Sequence, residues 1–373
     1  MGTPETADAV RIIRTKTRSD RQHPTSEFSA LLHIVRDAGL LHRRTGFYIA
    51  MFAVIAMFAV LAALFGGLAA GFVVLGDSWF QLLIAGGLGI VLTQFAFLAH
   101  EASHRQVFES GRSNDVAGRV IANLIVGISY SWWMTKHSRH HANPNVIGKD
   151  PDINRNVISF TPQDADLARG MRAWLTRRQG YAFFPILVFE GLALHIHGFR
   201  TVFGSGTVDK RWLEIAMLTT RNLAYVAVVV LALSPGVAAA FIGVQLAVFG
   251  VYMGASFAPN HKGMPVLAKD QKVDFLRRQV LTSRNIRSSW LTNLYIGGLN
   301  YQVEHHHLFP SMPRPHLRRA QAITKDYCRS KDIAYTETTL LESYAIVVRY
   351  LNRVGLSAGG DPFECPAATA FGR

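Results

Sequence analysis

Three stretches of this chain carry no charged residue: Phe47 to Gly76, Ser78 to Ala99, and Asn222 to Asn260. Each meets or exceeds the roughly 20 apolar residues that cross a bilayer core. Asp77-Ser78 separates the first two. The third is too long for one helix and is broken at Ser234-Pro235-Gly236, where Pro and Gly together punctuate a helix. The pattern predicts four transmembrane helices at about 47–74, 79–99, 217–233 and 236–258, paired in two hairpins. Both hairpin turns lack Lys and Arg, whereas the flanks are rich in them. That asymmetry predicts a multi-pass protein of the cell (cytoplasmic) membrane with both termini in the cytosol.

Two further apolar segments carry charge. Val116–Trp133 contains Arg119, and Tyr181–Phe203 contains Glu190, His195, His197 and Arg200. Charges inside a span are expensive, so both are expected to be interfacial helices, with His195 and His197 as packing or headgroup contacts. After Asn260 the chain reads as polar. The expected fold is therefore an all-α integral membrane protein, with two hairpins of transmembrane helices, interfacial helices and a cytosolic His-rich cap. Residues 1–45 read as a basic cytosolic arm, 46–350 as the membrane domain and 351–373 as a disordered tail. The arm has no apolar run after a basic start, so no cleavable signal peptide is expected.

Composition sharpens the class. Of 373 residues, 49% are hydrophobic and 17% charged, with a formal net charge of +14. The Lys and Arg flank apolar spans, so the basic balance points to a lipid surface and not to nucleic acid. Cys328 and Cys365 lie far from every His cluster and offer neither zinc spacing nor a disulfide framework.

Eight of the fifteen histidines lie in three clusters. His100 and His104 (HEASH) are four apart at the end of the second span. His137, His140 and His141 (HSRHH) fall at i, i+3 and i+4. His305, His306 and His307 follow Gln302 in QVEHHH, where Gln302, His305 and His306 repeat that helical spacing. The predicted topology puts all three clusters on one side of the membrane. Many imidazoles without thiolates suit iron, copper or zinc. Seven or more His exceed the three or four ligands of one zinc site and so imply two metals. The spans hold no His, Asp or Glu between their ends, which argues against a metal transporter.

The motifs HEASH, HSRHHANPN and NYQVEHHHLFP resemble the histidine boxes HxxxH, HxxHH and QxxHH of the membrane fatty acyl desaturases. The resemblance runs from about residue 28 to 350. FAPNHKGMP, QVLTSRNIRSSWLTNLYIGGLNYQ and LFPSMPRPHL are similar to bacterial, actinobacterial-type acyl desaturases. It implies a non-haem di-iron centre ligated by His100, His104, His137, His140, His141, His305 and His306, with His261 as a further ligand. Gln302 stands as a weak ligand or a holder of water. Asn260, Asn143 and Asn145 would support the imidazoles. This chain has one more His than the family's QxEHHLFP. Either His307 is a bystander, which keeps the spacing from Gln302 and is the preferred reading, or His306 and His307 act in a shifted register.

The implied chemistry is O2-dependent introduction of a cis double bond into a long-chain acyl group. Acyl-CoA and the Δ9 position are the first expectation. An acyl-lipid carrier, or a di-iron hydroxylase or ketolase reaction, is the alternative. Arg105, Lys136, Arg139, Lys149 and Lys262 are candidates for the phosphates of an acyl-CoA. No HPGG-type haem module is visible, so electrons would come from a separate ferredoxin or flavin/NAD(P)H reductase, steered by the basic face.

Overall fold

The apolar runs fold as helices in the computed structural model, which describes residues 26–41, 43–154, 157–312 and 314–358, without the side chains of 43–50, 52, 306 and 315. Most of the expected N-terminal arm, and residues 359–373 of the expected tail, lie outside the described residues. In chain order the helices are α1 (Glu27–Asp37), α2 (Arg43–Leu75), α3 (Gln81–Ser103), α4 (Gly111–Val120), α5 (Tyr130–Ala142), α6 (Pro162–Asp166), α7 (Gly170–Thr176) and α8 (Gln179–Ile186). They continue as α9 (Glu190–Phe203), α10 (Arg211–Ala232), α11 (Pro235–His261), α12 (Phe275–Leu281), α13 (Trp290–Tyr295), α14 (Arg314–Ser330) and α15 (Leu340–Gly355). Two short strands, β1 (Asn285–Ile286) and β2 (Glu337–Thr338), pair in parallel. The last helix runs five residues past the boundary expected at 350, and Leu351, Val354 and Ala358 are buried.

Among the described residues, five helical stretches are long and apolar enough to cross a membrane by length and composition. Four are the expected spans, in α2, α3, α10 and α11. The fifth, Gln179–Phe203, joins α8 to α9 through a 3₁₀ turn at Leu187–Phe189 and was expected to lie in the interface. It runs against α11, where a Cβ on Gly191 or Gly250 would collide with the other helix's backbone. Lipid tails are as apolar as leucine, so such helices associate through close fit between small residues. His195 bonds through Nδ1 to the Gly191 carbonyl and His197 stacks on Trp132, in line with packing roles.

The two hairpin turns meet where the Asp77 carboxylate accepts from the backbone and hydroxyl of Ser234. Val54 and Leu61 of α2, Leu92, Phe95 and Leu98 of α3, and Phe249 and Met253 of α11 form one core. A separate core covers the His ends. There Leu31 and Val35 of α1, Leu276 and Val280 of α12, and Leu317 of α14 pack around Val303 and Leu308. Each buried Leu or Val of this core contributes about 1.5–3 kcal/mol.

Arg119, the charge that argued against a span at 116–133, has a local solution. Its guanidinium pairs with the fully buried Glu214 at the base of α10 and with Asp209. Glu214 also accepts from the hydroxyls of Ser129 and Ser131. The segment itself is not one helix: α4 passes into a π-helix at Ile121–Val126 and stops at Gly127, whose φ is +92°. Removing one partner of a buried pair leaves an uncompensated charge. Glu214→Ala should therefore lower stability by about 3–5 kcal/mol, read as a depressed unfolding midpoint in detergent. The double substitution Arg119→Met with Glu214→Leu should recover much of the loss.

Candidate metal centre

The C-terminal end of α3 and its cap carry His100 and His104, the C-terminal half of α5 the second cluster, the final residue of α11 is His261, and the segment after α13 holds the third cluster. Their imidazoles converge in two groups. In the first, Nε2 of His100 lies 3.0 Å from Nε2 of His137 and 3.2 Å from Nε2 of His104, and His104 and His137 are 3.0 Å apart. In the second, ligand atoms of His140, His261 and His307 all lie within 4.8 Å of one another, with His261 and His307 Nε2 atoms 3.3 Å apart. His141 stands between the groups, its ring 4.1 Å from that of His137 and 5.3 Å from that of His307. The His305 ring is 6.1 Å from that of His104.

Nitrogens each about 2.1 Å from one ion are about 3.0 Å apart at a right angle and about 3.4 Å apart in a tetrahedron. The first group and the His261–His307 pair of the second have that spacing. Each neutral Nε2 is either a donor or an acceptor, so three that meet at about 3 Å cannot all satisfy one another, whereas a cation among them would engage all three lone pairs. The residues therefore fit a pair of metal ions. Burial works in the same direction, since it favours the neutral, ligating form. It pushes His104, His137 and His307 well below their ordinary pKa, with the neighbouring imidazoles adding to the effect. It brings His305 down to about 4.

Outer contacts set the tautomers. His140 Nδ1 lies 3.0 and 3.1 Å from the two oxygens of Asp150. Asp150 is held in turn by the backbone N–H groups of Asn145 and Asp152. A carboxylate in that position fixes Nδ1–H and aims Nε2 at the metal. Burial opposes protonation of His140, but Asp152 and Asp150 outweigh it and raise its pKa. His261 donates from Nδ1 to the Thr282 carbonyl at 3.0 Å, which leaves its Nε2 lone pair facing the centre. Asn145 donates to the His261 carbonyl, and Asn260 donates to Oε1 of Gln302. Asn143 ends α5 as its cap.

The third box departs from the expected α-helical register. Gln302–Leu308 is a π-helix, entered from a 3₁₀ turn at Leu299–Tyr301. Its i→i+5 bond from Phe309 N–H to the Glu304 carbonyl is 2.8 Å. With i→i+5 closure it is Gln302 and His307 that share a face, and their Nε2 atoms are 3.4 Å apart. The extra histidine is thus absorbed by a wider turn, and His307, the expected bystander, joins the cluster. The side chain of His306 lies outside the described residues. Glu304 points away from the centre, accepts from Asn285 and Tyr335, and is pushed up to about 7 by burial against those bonds.

Of the five basic candidates, Arg105, Arg139 and Lys149 are exposed. Lys136 and Lys262 instead converge on Asp152, the first at its carboxylate (2.8 Å) and the second at its carbonyl (2.7 Å). Sequence reasoning missed Asp150 and Asp152, although an acidic pair in a basic stretch ten residues past a His cluster is a readable signal. It also missed Thr282, for which a backbone carbonyl leaves no signal. Beside the centre, Trp133, Leu194, Met253 and Phe257 line a cavity of about 90 Å³ together with His137, His140, His261, Gln302, Lys136 and Glu190.

A family model described as fatty acid desaturase matches residues 77–339. The chain is similar to a fatty acid desaturase 2-like protein of Mus musculus, 23% identical over 74% of this chain and 57% of that protein. It is similar to an acyl-lipid (9-3)-desaturase of Physcomitrium patens, 27% identical over 73% and 53%. A Delta(6)-fatty-acid desaturase of Caenorhabditis elegans is 27% identical over 72% and 63%. The chain spans between half and two-thirds of the length of these curated relatives. With the matched region running from the first hairpin turn through all three histidine boxes, the chain belongs to the fatty acid desaturase family.

Proposed function

We propose that this protein is a membrane-bound, O2-dependent desaturase of long-chain acyl groups that works with two iron ions. The observation that supports it most is the convergence of two histidine triads next to a cavity with one apolar wall, formed by Trp133, Leu194, Met253 and Phe257. His100, His104 and His137 would hold one ion and His140, His261 and His307 the other, with His141, His305 and Gln302 beside them. Held there, two such ions would supply oxygen activation and removal of two hydrogens from adjacent methylenes, with two further electrons from a separate donor and water as co-product. The chain's own residues position the substrate. Trp133, Leu194, Met253 and Phe257 exclude water and press the acyl chain against the histidines. Lys136, held by Asp152, marks the polar end of that cavity, where a carbonyl or phosphate would be received.

The topology of this proposal has four spans, in α2, α3, α10 and α11, with Gln179–Phe203 in the interface and both termini cytosolic. It puts every histidine ligand on the cytosolic side of the cytoplasmic membrane, within reach of a separate ferredoxin or flavin/NAD(P)H reductase. Exposed Arg105, Arg139 and Lys149 suit an acidic donor. Acyl-CoA and Δ9 were the first expectation for the substrate. One similar protein bears the name acyl-lipid and another Delta(6), which supports an acyl-lipid carrier and a bond nearer the carboxyl end.

Expression with an electron donor in a host that lacks desaturases tests the proposal. A new unsaturated acyl species, its bond located by mass spectrometry, is the expected outcome. A hydroxylated product would reassign the reaction within the same site. No new product from iron-loaded protein would overturn the proposal.

A further inference from the structure

The stretch from Ser288 to Val303 contains no charged residue, although it follows the last predicted span in a part of the chain that reads as polar. In the structure its first turn is α13, capped by Ser289, whose hydroxyl accepts from Thr292 N–H. No residue of α13 is buried, and its apolar side chains face outward: Trp290 is 76% exposed, Leu291 67% and Leu294 51%. Such an exposed apolar face needs an occupant.

Its place along the spans identifies one. The carbonyl of Leu294 accepts from the Gln94 side chain of α3 at 3.0 Å. The Tyr295 ring stacks on Tyr252 of α11 at 5.1 Å, and Gln94 also donates to the Tyr252 hydroxyl at 2.5 Å. Gln94 lies five residues inside the uncharged run that ends at Ala99, and Tyr252 lies eight residues inside the one that ends at Asn260. At 1.5 Å per residue these two rulers place the contacts about 8–12 Å below the edge of the apolar zone. One turn deeper on α3, Ile90 is another exposed apolar side chain, 49% exposed.

We infer that α13 is a re-entrant helix that dips into the hydrocarbon layer from the cytosolic side, with Trp290, Leu291 and Leu294 in contact with lipid chains. Being six residues long, it enters and leaves on the same side, and its backbone groups find partners on α3 and within its own turn. Gly297 and Gly298, with φ of +59° and +82°, turn the chain straight back toward the 3₁₀ turn and the third histidine box. The Gly297 carbonyl is held by Arg314, which also pairs with Glu101 next to His100. Bilayer contact at α13 thereby braces the third box against the first.

The inference rests on the membrane placement proposed above, and the test separates the two. Cys328 and Cys365 are replaced by serine, and single cysteines are introduced as Leu291→Cys, Val60→Cys on α2 and Arg329→Cys on α14. Each is labelled with an environment-sensitive fluorophore in the iron-loaded protein in nanodiscs. Lipids brominated on their acyl chains should quench the label at position 291 as strongly as at 60. Aqueous iodide should quench it several-fold less than at 329. If the label at 60 behaves as expected while that at 291 follows 329, α13 does not enter the bilayer and the inference fails. If the label at 60 is also quenched only by iodide, the membrane placement fails with it. Leu294→Cys repeats the measurement where labelling at 291 disturbs folding, judged by retained iron.

Discussion

Alanine at His307 is expected to empty one of the two metal positions and to reduce desaturation by more than the roughly 10–100-fold that follows loss of an outer partner. The reason is the π-helix. In an α-helical third box, Gln302 would share its face with His305 and His306. In the i→i+5 turn that forms, His307 comes to within 3.3 Å of the His261 Nε2 atom and 3.4 Å of the Gln302 Nε2 atom. Iron analysis of purified protein should find about half the wild-type content in His307→Ala. His306→Ala, measured beside it, decides the register. If His306→Ala loses iron and His307→Ala keeps it, the α-helical register governs the protein and the assignment of His307 is wrong.

The second large effect is expected from Asp150, which stands behind His140. It grips His140 Nδ1 with both oxygens and is itself held by two backbone N–H donors. Asp150→Ala should weaken metal retention by about 10–100-fold, the range for carboxylates behind ligating histidines. Activity should return in part when excess iron is supplied. Asp150→Asn should fall between alanine and wild type, because its oxygen can still accept from His140 Nδ1–H while its amide faces a backbone donor. A loss of fold without any rescue by iron would give Asp150 a purely structural role.

How much of this was legible beforehand follows from range. The spans were readable because uncharged runs of 20 or more residues have few other uses, and His100/His104 and His137/His141 because i, i+4 spacing states a shared face. The third box misled because a π-turn has the same composition as an α-turn. Its extra residue shows only once Phe309 bonds back to Glu304 and the Glu304 side chain is held by Asn285 and Tyr335. Arg119 argued correctly against a simple span, but its partner Glu214 lies 95 positions away and no local pattern names it. The stretch from Gln179 to Phe203 has the length and apolarity of a span while carrying Glu190, and composition cannot rank those two signals. The apolar helix α13 was overlooked because its six residues fall far below spanning length, although sixteen uncharged residues in a polar region were visible.

The most direct test of the two-metal centre is the iron content of protein purified from iron-replete cells, by elemental analysis against protein concentration, with His137→Ala and His261→Ala alongside. Two irons per chain in the wild type, and a loss of iron in each variant, is the result this account predicts. A wild type that holds no metal, or one that holds the same metal in both variants, would contradict it.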